Sequence, residues 1–310
     1  MRDRHLFPDA QARTVSAGGR EIFTRLLGSE DGPPLLLLHG FPQTGALWAD
    51  VAPRLLREGG RAPRLVIPDL PGYGRSREAR FALGSDPEAM SKRALAAALV
   101  EMMARLGWTR FDLAGHDRGG RVAYRMALDH PAAVRRLATL DITPTLDYWA
   151  RAGEAAFAVK IYHWAFLAQP APLPERMIAA DPDAYIDHTL RSWRGDGALS
   201  GFAPAALEAY RANARDPAIL GAMCDDYRAG AAQDVEHDAA DRASGRKIAA
   251  PMLALWGDLG VAKSSGAPLD IWRRWCDRAE GAPVACGHFL PEEAPAETAA
   301  RLAAFFGAAA

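Results

Sequence analysis

Short, unbroken apolar runs punctuate the chain, and each stops at a polar or glycine-containing turn. Pro34–Leu38 runs into His39-Gly40, Arg64–Ile67 into Pro68-Asp69, and Phe111–Ala114 into Gly115-His116-Asp117. Leu137–Leu140 stops at Asp141, Pro251–Trp256 at Gly257-Asp258, and Pro283–Cys286 at Gly287-His288. Runs this short, with no polar alternation, fit strands covered on both faces. Helix-like segments at 87–106, 119–129, 268–275 and 296–306 are interleaved with them. The alternation predicts an α/β fold: a mostly parallel central sheet with helices on both faces. Chemistry in such a fold gathers beyond the carboxyl ends of the strands, which is where the polar residues above fall.

The rhythm breaks between about 145 and 245. This stretch has no strand-like run, is rich in Trp and Tyr, and is cut by Pro170, Pro172, Pro174, Pro182, Pro204 and Pro217. Strand-like runs resume at Pro251. The expected organisation is therefore a core from 1–144 and 246–310, with a helical cap from 145–245 inserted over the strand ends. The Ala-rich tail after Phe306 is expected to fray.

Composition narrows the classes. The 310 residues are 49% hydrophobic and 24% charged with a formal net charge of −1, an ordinary globular balance with no global footprint for nucleic acid or an anionic membrane. The longest aliphatic run, Leu35–Leu38, is far too short to span a bilayer. The first residues, Met1 to His5, lack the apolar stretch of a signal peptide. Cys224, Cys276 and Cys286 are scattered and odd in number, as expected of reduced thiols in a cytoplasm.

Gly115-His116-Asp117-Arg118-Gly119 has the form Gly-x-nucleophile-x-Gly between a strand and a helix. Such a turn projects its central side chain and tolerates only small neighbours two positions away. The central residue here is Asp. A carboxylate is ionised at neutral pH and needs no base to activate it. Its attack on saturated carbon gives an ester that water can cleave, whereas a serine would leave an ether. Asp117 therefore points to displacement at an alkyl carbon. His288, after the last strand-like run, is the candidate base for the water. Asp141 is the favoured acid to orient that imidazole, with Asp258 the alternative. Backbone N–H groups of Phe41 and Arg118 are candidates to hold the oxygen that becomes negative during ester cleavage. Asp69–Ser76 reads as a structural turn set by Pro71, Gly72 and Gly74. Asp234, Glu236, His237 and Asp238 match no standard metal spacing, and no dinucleotide or phosphate loop is present. No cofactor or metal is expected.

With these motifs in hand, the chain resembles the fluoroacetate dehalogenases (haloacetate dehalogenases) of the α/β-hydrolase superfamily. The resemblance runs from Leu35-Leu-Leu-Leu-His-Gly-Phe-Pro-Gln-Thr44 to Gly287-His-Phe-Leu-Pro-Glu-Glu293. Its telling motifs are Gly115-His-Asp-Arg-Gly-Gly-Arg121, Lys160-Ile-Tyr-His-Trp164 with Phe166-Leu-Ala-Gln-Pro170, and Asp226-Tyr-Arg-Ala-Gly230. It implies Asp117 as nucleophile, His288 as base and Asp141 as triad acid. It implies further that Arg118 and Arg121 hold the substrate carboxylate, and that His163, Trp164 and Tyr227 bind the leaving halide. Lys160 and Trp193 are implied pocket neighbours. The expected partner is a small anionic halogenated acid, and a homodimer is the expected assembly.

The physics of the implied reaction is coherent. Two carboxylates a few ångströms apart repel by several kcal/mol at an effective dielectric of about 20, and two guanidiniums answer that repulsion. Fluoride is strongly hydrated and leaves only if donors replace its water. An epoxide hydrolase on the same scaffold shares the Asp nucleophile but takes neutral substrates. A non-catalytic small-acid receptor is the rival from another class.

Overall fold

The computed structural model describes residues 5–57, 62–264 and 266–307; Met1–Arg4 and the last three residues of the Ala-rich tail lie outside them. Eight strands form one sheet: β1 (Gln11–Ala17), β2 (Arg20–Gly28), β3 (Pro34–Leu38), β4 (Arg64–Pro68), β5 (Phe111–His116), β6 (Val134–Leu140), β7 (Met252–Gly257) and β8 (Ala279–Val284). Their order is β1-β2-β4-β3-β5-β6-β7-β8. β1 and β2 pair antiparallel, as do β2 and β4, and all later pairs are parallel.

The leucine run of β3 shows why the central strands have no polar face. Leu36 and Leu38 enter one hydrophobic cluster, and Leu35 and Leu37 enter the other across the sheet, as the two-residue period of a strand dictates. Helices Lys92–Arg105 and Asp117–Asp129 cover the first face, and helix Pro295–Gly307 contributes Ala299 and Leu302 to the second.

Three boundaries differ from the sequence reading. The β1–β2 hairpin was not expected, because β1 is almost wholly exposed and polar. Its signal is Gly18-Gly19, which turns the chain in two residues at positive φ between Ala17 and its partner Arg20. The run expected at 283–286 belongs to a strand that ends at Val284 and begins earlier, at Ala279. β8 bonds only to β7, and an edge position tolerates Pro283 and Glu280 within a strand. The expected helix at 87–106 is a short 3-10 turn followed by Lys92–Arg105, because Ser91 interrupts it and caps the second piece through a bond from the Ala94 N–H.

Between β6 and β7 the chain forms helices and no strand. The prolines that break the sequence rhythm open these helices: Pro182, Pro204 and Pro217 are first residues, where a missing N–H costs nothing. Asp181 and Asp216 cap two of them by accepting the Ala184 and Ala218 N–H groups. Among the described residues, no helix is long and apolar enough to cross a membrane, and no group of three or more His, Cys, Asp or Glu side chains is placed to hold a metal.

Candidate active site

The turn after β5 is built by exclusion of side chains. A Cβ on Gly119 would lie 2.2 Å from the His39 carbonyl oxygen, and one on Gly115 would lie 2.4 Å from that of Gly119. The squeeze leaves Asp117 at φ 46°, in the left-handed region, a strain that persists only where the surroundings impose it. Asp117 opens helix Asp117–Asp129, and the Arg118 N–H lies in its first turn, where helices leave amides without intrahelical partners.

Asp117 Oδ1 accepts the Phe41 N–H at 2.9 Å. Its Oδ2 lies 3.9 Å from His288 Nε2, too far for a hydrogen bond. His288 Nε2 is buried without a partner, while Nδ1 lies 2.6 Å from Asp141 Oδ2. The other Asp141 oxygen accepts the Gly257 N–H at 3.1 Å. Asp258, the alternative acid, is exposed and pairs with Lys263 at 3.2 Å. The loop carrying His288 is fixed from three sides. Glu293 accepts the N–H groups of Gly287 and Phe289, the Trp193 carbonyl accepts the His288 N–H, and His116 Nε2 lies 2.8 Å from the His288 carbonyl oxygen.

The protonation balance follows from these neighbours. Burial alone would raise the Asp117 carboxyl, but His288, His116, Arg118 and Arg121 outweigh it and hold the group below its ordinary value. Burial opposes charge on His288, yet the Asp141 hydrogen bond and the charges of Asp141 and Asp117 raise the imidazole above its ordinary value. Burial pushes His116 down to about 4 and His163 down to about 3, so both rings are neutral at pH 7.

A cavity is lined by Asp117, Arg121, Asp141, Tyr148, His163, Trp164, Trp193 and His288. About 10 Å³ of it is open to the centre of a water-sized sphere, the room one water needs. A larger groove of about 380 Å³ beside Phe81 and Leu83 holds none of these residues, so volume does not mark the site.

Arg118 and Arg121 are both buried. Arg118 donates to the Asp226 carboxylate from Nε at 3.1 Å and from Nη2 at 2.5 Å, and its Nη1 has no partner. Arg121 donates to the Thr143 carbonyl at 3.0 Å and to Thr145 Oγ1 at 3.2 Å, and its Nε has no partner. Its guanidinium carbon also stands 4.4 Å from the Trp164 ring centre and 4.9 Å from that of Tyr148. His163, Trp164 and Tyr227 come together: the His163 and Trp164 rings lie 5.6 and 6.0 Å from that of Tyr227. Adjacent residues of a helix diverge, but His163 and Trp164 occupy the first turn of the short helix Tyr162–Leu167, and both line the cavity. The Tyr227 hydroxyl and His163 Nδ1 are buried without partners.

Lys160, Arg118 and Tyr227 are not among the residues lining the cavity. Lys160 is exposed, and its ammonium lies 2.5 Å from Ser264 Oγ and 3.5 Å from the carbonyl oxygen of Gly260, which packs on Asp141. It sits at the end of its own short helix, Ala155–Lys160, outside the cavity lining. Tyr148 and His116 were missed by sequence reasoning. Tyr148 carries no motif of its own, whereas His116 stands inside the Gly115–Gly119 turn and was legible there. The acidic stretch at 234–238 is structural: Asp234 pairs with Lys92 at 3.1 Å and Asp238 with Arg125 at 2.6 Å. The Asp69 carboxylate likewise binds Arg25 and the N–H groups of Gly45 and Arg75.

A strained acid after β5, a histidine after β8 and an acid after β6 define the chemistry-bearing end of an α/β hydrolase. The chain belongs to the α/β-hydrolase fold family, whose description matches residues 33–295. It is 42% identical to a fluoroacetate dehalogenase of Burkholderia sp. over 97% of this chain and 95% of that protein. It is 30% identical to a soluble epoxide hydrolase of Corynebacterium sp. over 85% of this chain and 86% of that protein. Among solved structures, a Pseudomonas aeruginosa protein provisionally assigned as an epoxide hydrolase, with bound MFA, superposes at a TM-score of 0.87 with 44% identity, over 97% of each chain.

Proposed function

We propose that this hydrolase removes the halogen from a small 2-haloacid, converting fluoroacetate to glycolate and fluoride. The carrying observation is the Asp117 carboxylate in a tight cavity that it shares with the unpartnered His288 Nε2 and the buried Arg121, with Arg118, also buried, next to it in the chain. The similarity to a fluoroacetate dehalogenase supports the same reading. The helices of 145–245 act as a cap that supplies His163, Trp164, Trp193 and Tyr227.

In the first step Asp117 Oδ2 attacks C2 of the haloacetate. The carbon–halogen bond breaks, and halide departs with the electron pair toward His163, Trp164 and Tyr227. Arg118 and Arg121 hold the substrate carboxylate, so the two anions can approach. In the second step His288 takes a proton from water, and the hydroxide attacks the Asp117 carboxyl carbon. The negative charge develops on Oδ1, where the Phe41 N–H already stands at 2.9 Å. Collapse, with the proton passed from His288 to the departing ester oxygen, releases the 2-hydroxyacid and leaves one water-derived oxygen on Asp117. Esterification also removes the Asp117 charge that helps hold His288 protonated, so the first step frees the base for the second.

His288 must be neutral to act, and its folded pKa is raised above 6.5. The protonated form therefore persists to higher pH than in a free imidazole. Ester hydrolysis is expected to hold at high pH and to fall as pH drops through the value set in the ester state. kcat/KM, which reports the free enzyme, is insensitive to His288 if displacement is irreversible. A stopped-flow pH series separating the two steps checks this; a hydrolysis rate that rises as pH falls contradicts it.

The epoxide-hydrolase reading draws on the relatives of that name and on the two tyrosines, Tyr148 and Tyr227, near the site. A neutral epoxide, however, would give the buried Arg121, whose hydrogen bonds go only to uncharged oxygens, no substrate charge to meet. Fluoride-electrode and product assays with fluoroacetate, chloroacetate and styrene oxide test the choice. Halide release from the two acids with no diol from styrene oxide is expected; diol without halide would overturn the proposal.

A further inference from the structure

The two arginines differ in how their charge is met. Asp226, on helix Pro217–Ala231, is fully buried and collects three donors. Its Oδ1 takes the Arg118 guanidinium and the Lys92 ammonium, and its Oδ2 takes the Tyr73 hydroxyl at 2.7 Å. The Asp226 carbonyl receives a further bond from Arg118 Nη2 at 2.6 Å. Lys92, itself buried, also pairs with Asp234 at 3.1 Å. Two cations, Arg118 and Lys92, thus face two anions, Asp226 and Asp234, and the group is neutral as a whole. Arg121 has only uncharged oxygen partners and two ring faces.

The packing also fixes where the Arg118 fork can lie. Its guanidinium carbon stands 4.2 Å from the Tyr227 ring centre. A Cβ at Gly230 would come within 3.0 Å of Nη2, so that side is closed by backbone. Nε and Nη2 are spent on Asp226, and Nη1 is the nitrogen left over. Burial would raise the Asp226 carboxyl, but Arg118 and Lys92 hold it far below the usual range, so the anchor stays charged.

We infer that Asp226 is a positioning residue: it locks the Arg118 fork so that Nη1 meets the substrate carboxylate, while Arg121, whose hydrogen bonds go only to uncharged oxygens, supplies the cation that no carboxylate already holds. This rests on the carboxylate-binding reading of the arginines. It also makes the insertion helix part of the nucleophile's surroundings, since one carboxylate ties Pro217–Ala231 to the helices that begin at Lys92 and Asp117.

Asp226→Asn in the full chain tests it, with fluoride release from fluoroacetate as the readout and thermal melting as the check on folding. Loss of an aimed charge-assisted bond used in both ground and transition states raises KM, here by about tenfold, with kcat changed by less than about threefold. A merely structural role would lower the active fraction, reducing kcat at constant KM, and that result overturns the inference. If Asp226→Asn does not fold, Asp226→Glu keeps the charge and shifts the fork by one methylene; KM is expected to rise about threefold, and an unchanged KM overturns the inference. Pairing either variant with Arg118→Gln closes a cycle. The second substitution is expected to add nothing to the KM of Arg118→Gln, and additive effects overturn the inference. An unchanged KM in Arg118→Gln alone instead overturns the carboxylate-binding reading beneath it. A raised KM in Arg118→Gln with none in the Asp226 variant removes only the role of Asp226.

Discussion

His288→Asn is expected to stop the enzyme halfway, with Asp117 converted to a stable ester. On the proposed mechanism the substitution leaves the displacement step its nucleophile, its arginines and its halide donors, and removes the base that activates water. Asparagine keeps a side-chain amide toward Asp141 but offers no basic nitrogen toward Asp117. Turnover is expected to fall by about 10²–10⁴-fold, the usual worth of a positioned general base. One equivalent of fluoride per active site should still appear as a burst. Intact-protein mass should increase by one carboxymethyl group, and peptide mapping should place it on Asp117. A variant that neither bursts nor gains mass would show that His288 is needed before the ester forms.

Neutralising both guanidiniums carries the second large effect. At about 4 Å and an effective dielectric of about 20, two like charges repel by about 4 kcal/mol. Arg118→Gln with Arg121→Gln is therefore expected to lower kcat/KM for fluoroacetate by about three powers of ten. The greater share should fall on Arg121, whose partners are Thr143 and Thr145 rather than a carboxylate. Both variants keep amide donors in the pocket, so the loss reports charge more than hydrogen bonding. Fluoride release as a function of substrate concentration checks it; defluorination that is untouched would mean that the acid group binds elsewhere.

The central strands and the tight turn after β5 were legible because burial on both faces leaves a leucine-rich signature, as in β3, and because only glycine survives at positions such as Gly119. The β1–β2 hairpin was not, since an exposed polar strand such as Gln11–Ala17 is written in its turn, Gly18-Gly19, rather than in its side chains. His163 and Trp164 stood out in sequence through a motif, but their convergence depends on the short helix Tyr162–Leu167 meeting Tyr227 from a distant helix. Lys160 shared that motif but lies exposed, outside the cavity lining, because proximity in sequence does not fix the side of a helix end. The choice between Asp141 and Asp258 needed coordinates too. Both follow strands, and only the 2.6 Å contact with His288 separates them. Asp226 was in plain view as part of a motif, yet its link to Arg118 and Lys92 spans three elements far apart in the chain.

Covalent catalysis by Asp117 can be read from a single turnover in ¹⁸O-water with enzyme in excess. The label is expected in the Asp117 carboxylate, and the first glycolate released is expected to carry an unlabelled oxygen taken from that side chain. Label in the first glycolate, with Asp117 left unlabelled, would contradict the displacement by this carboxylate and make water the direct attacking group.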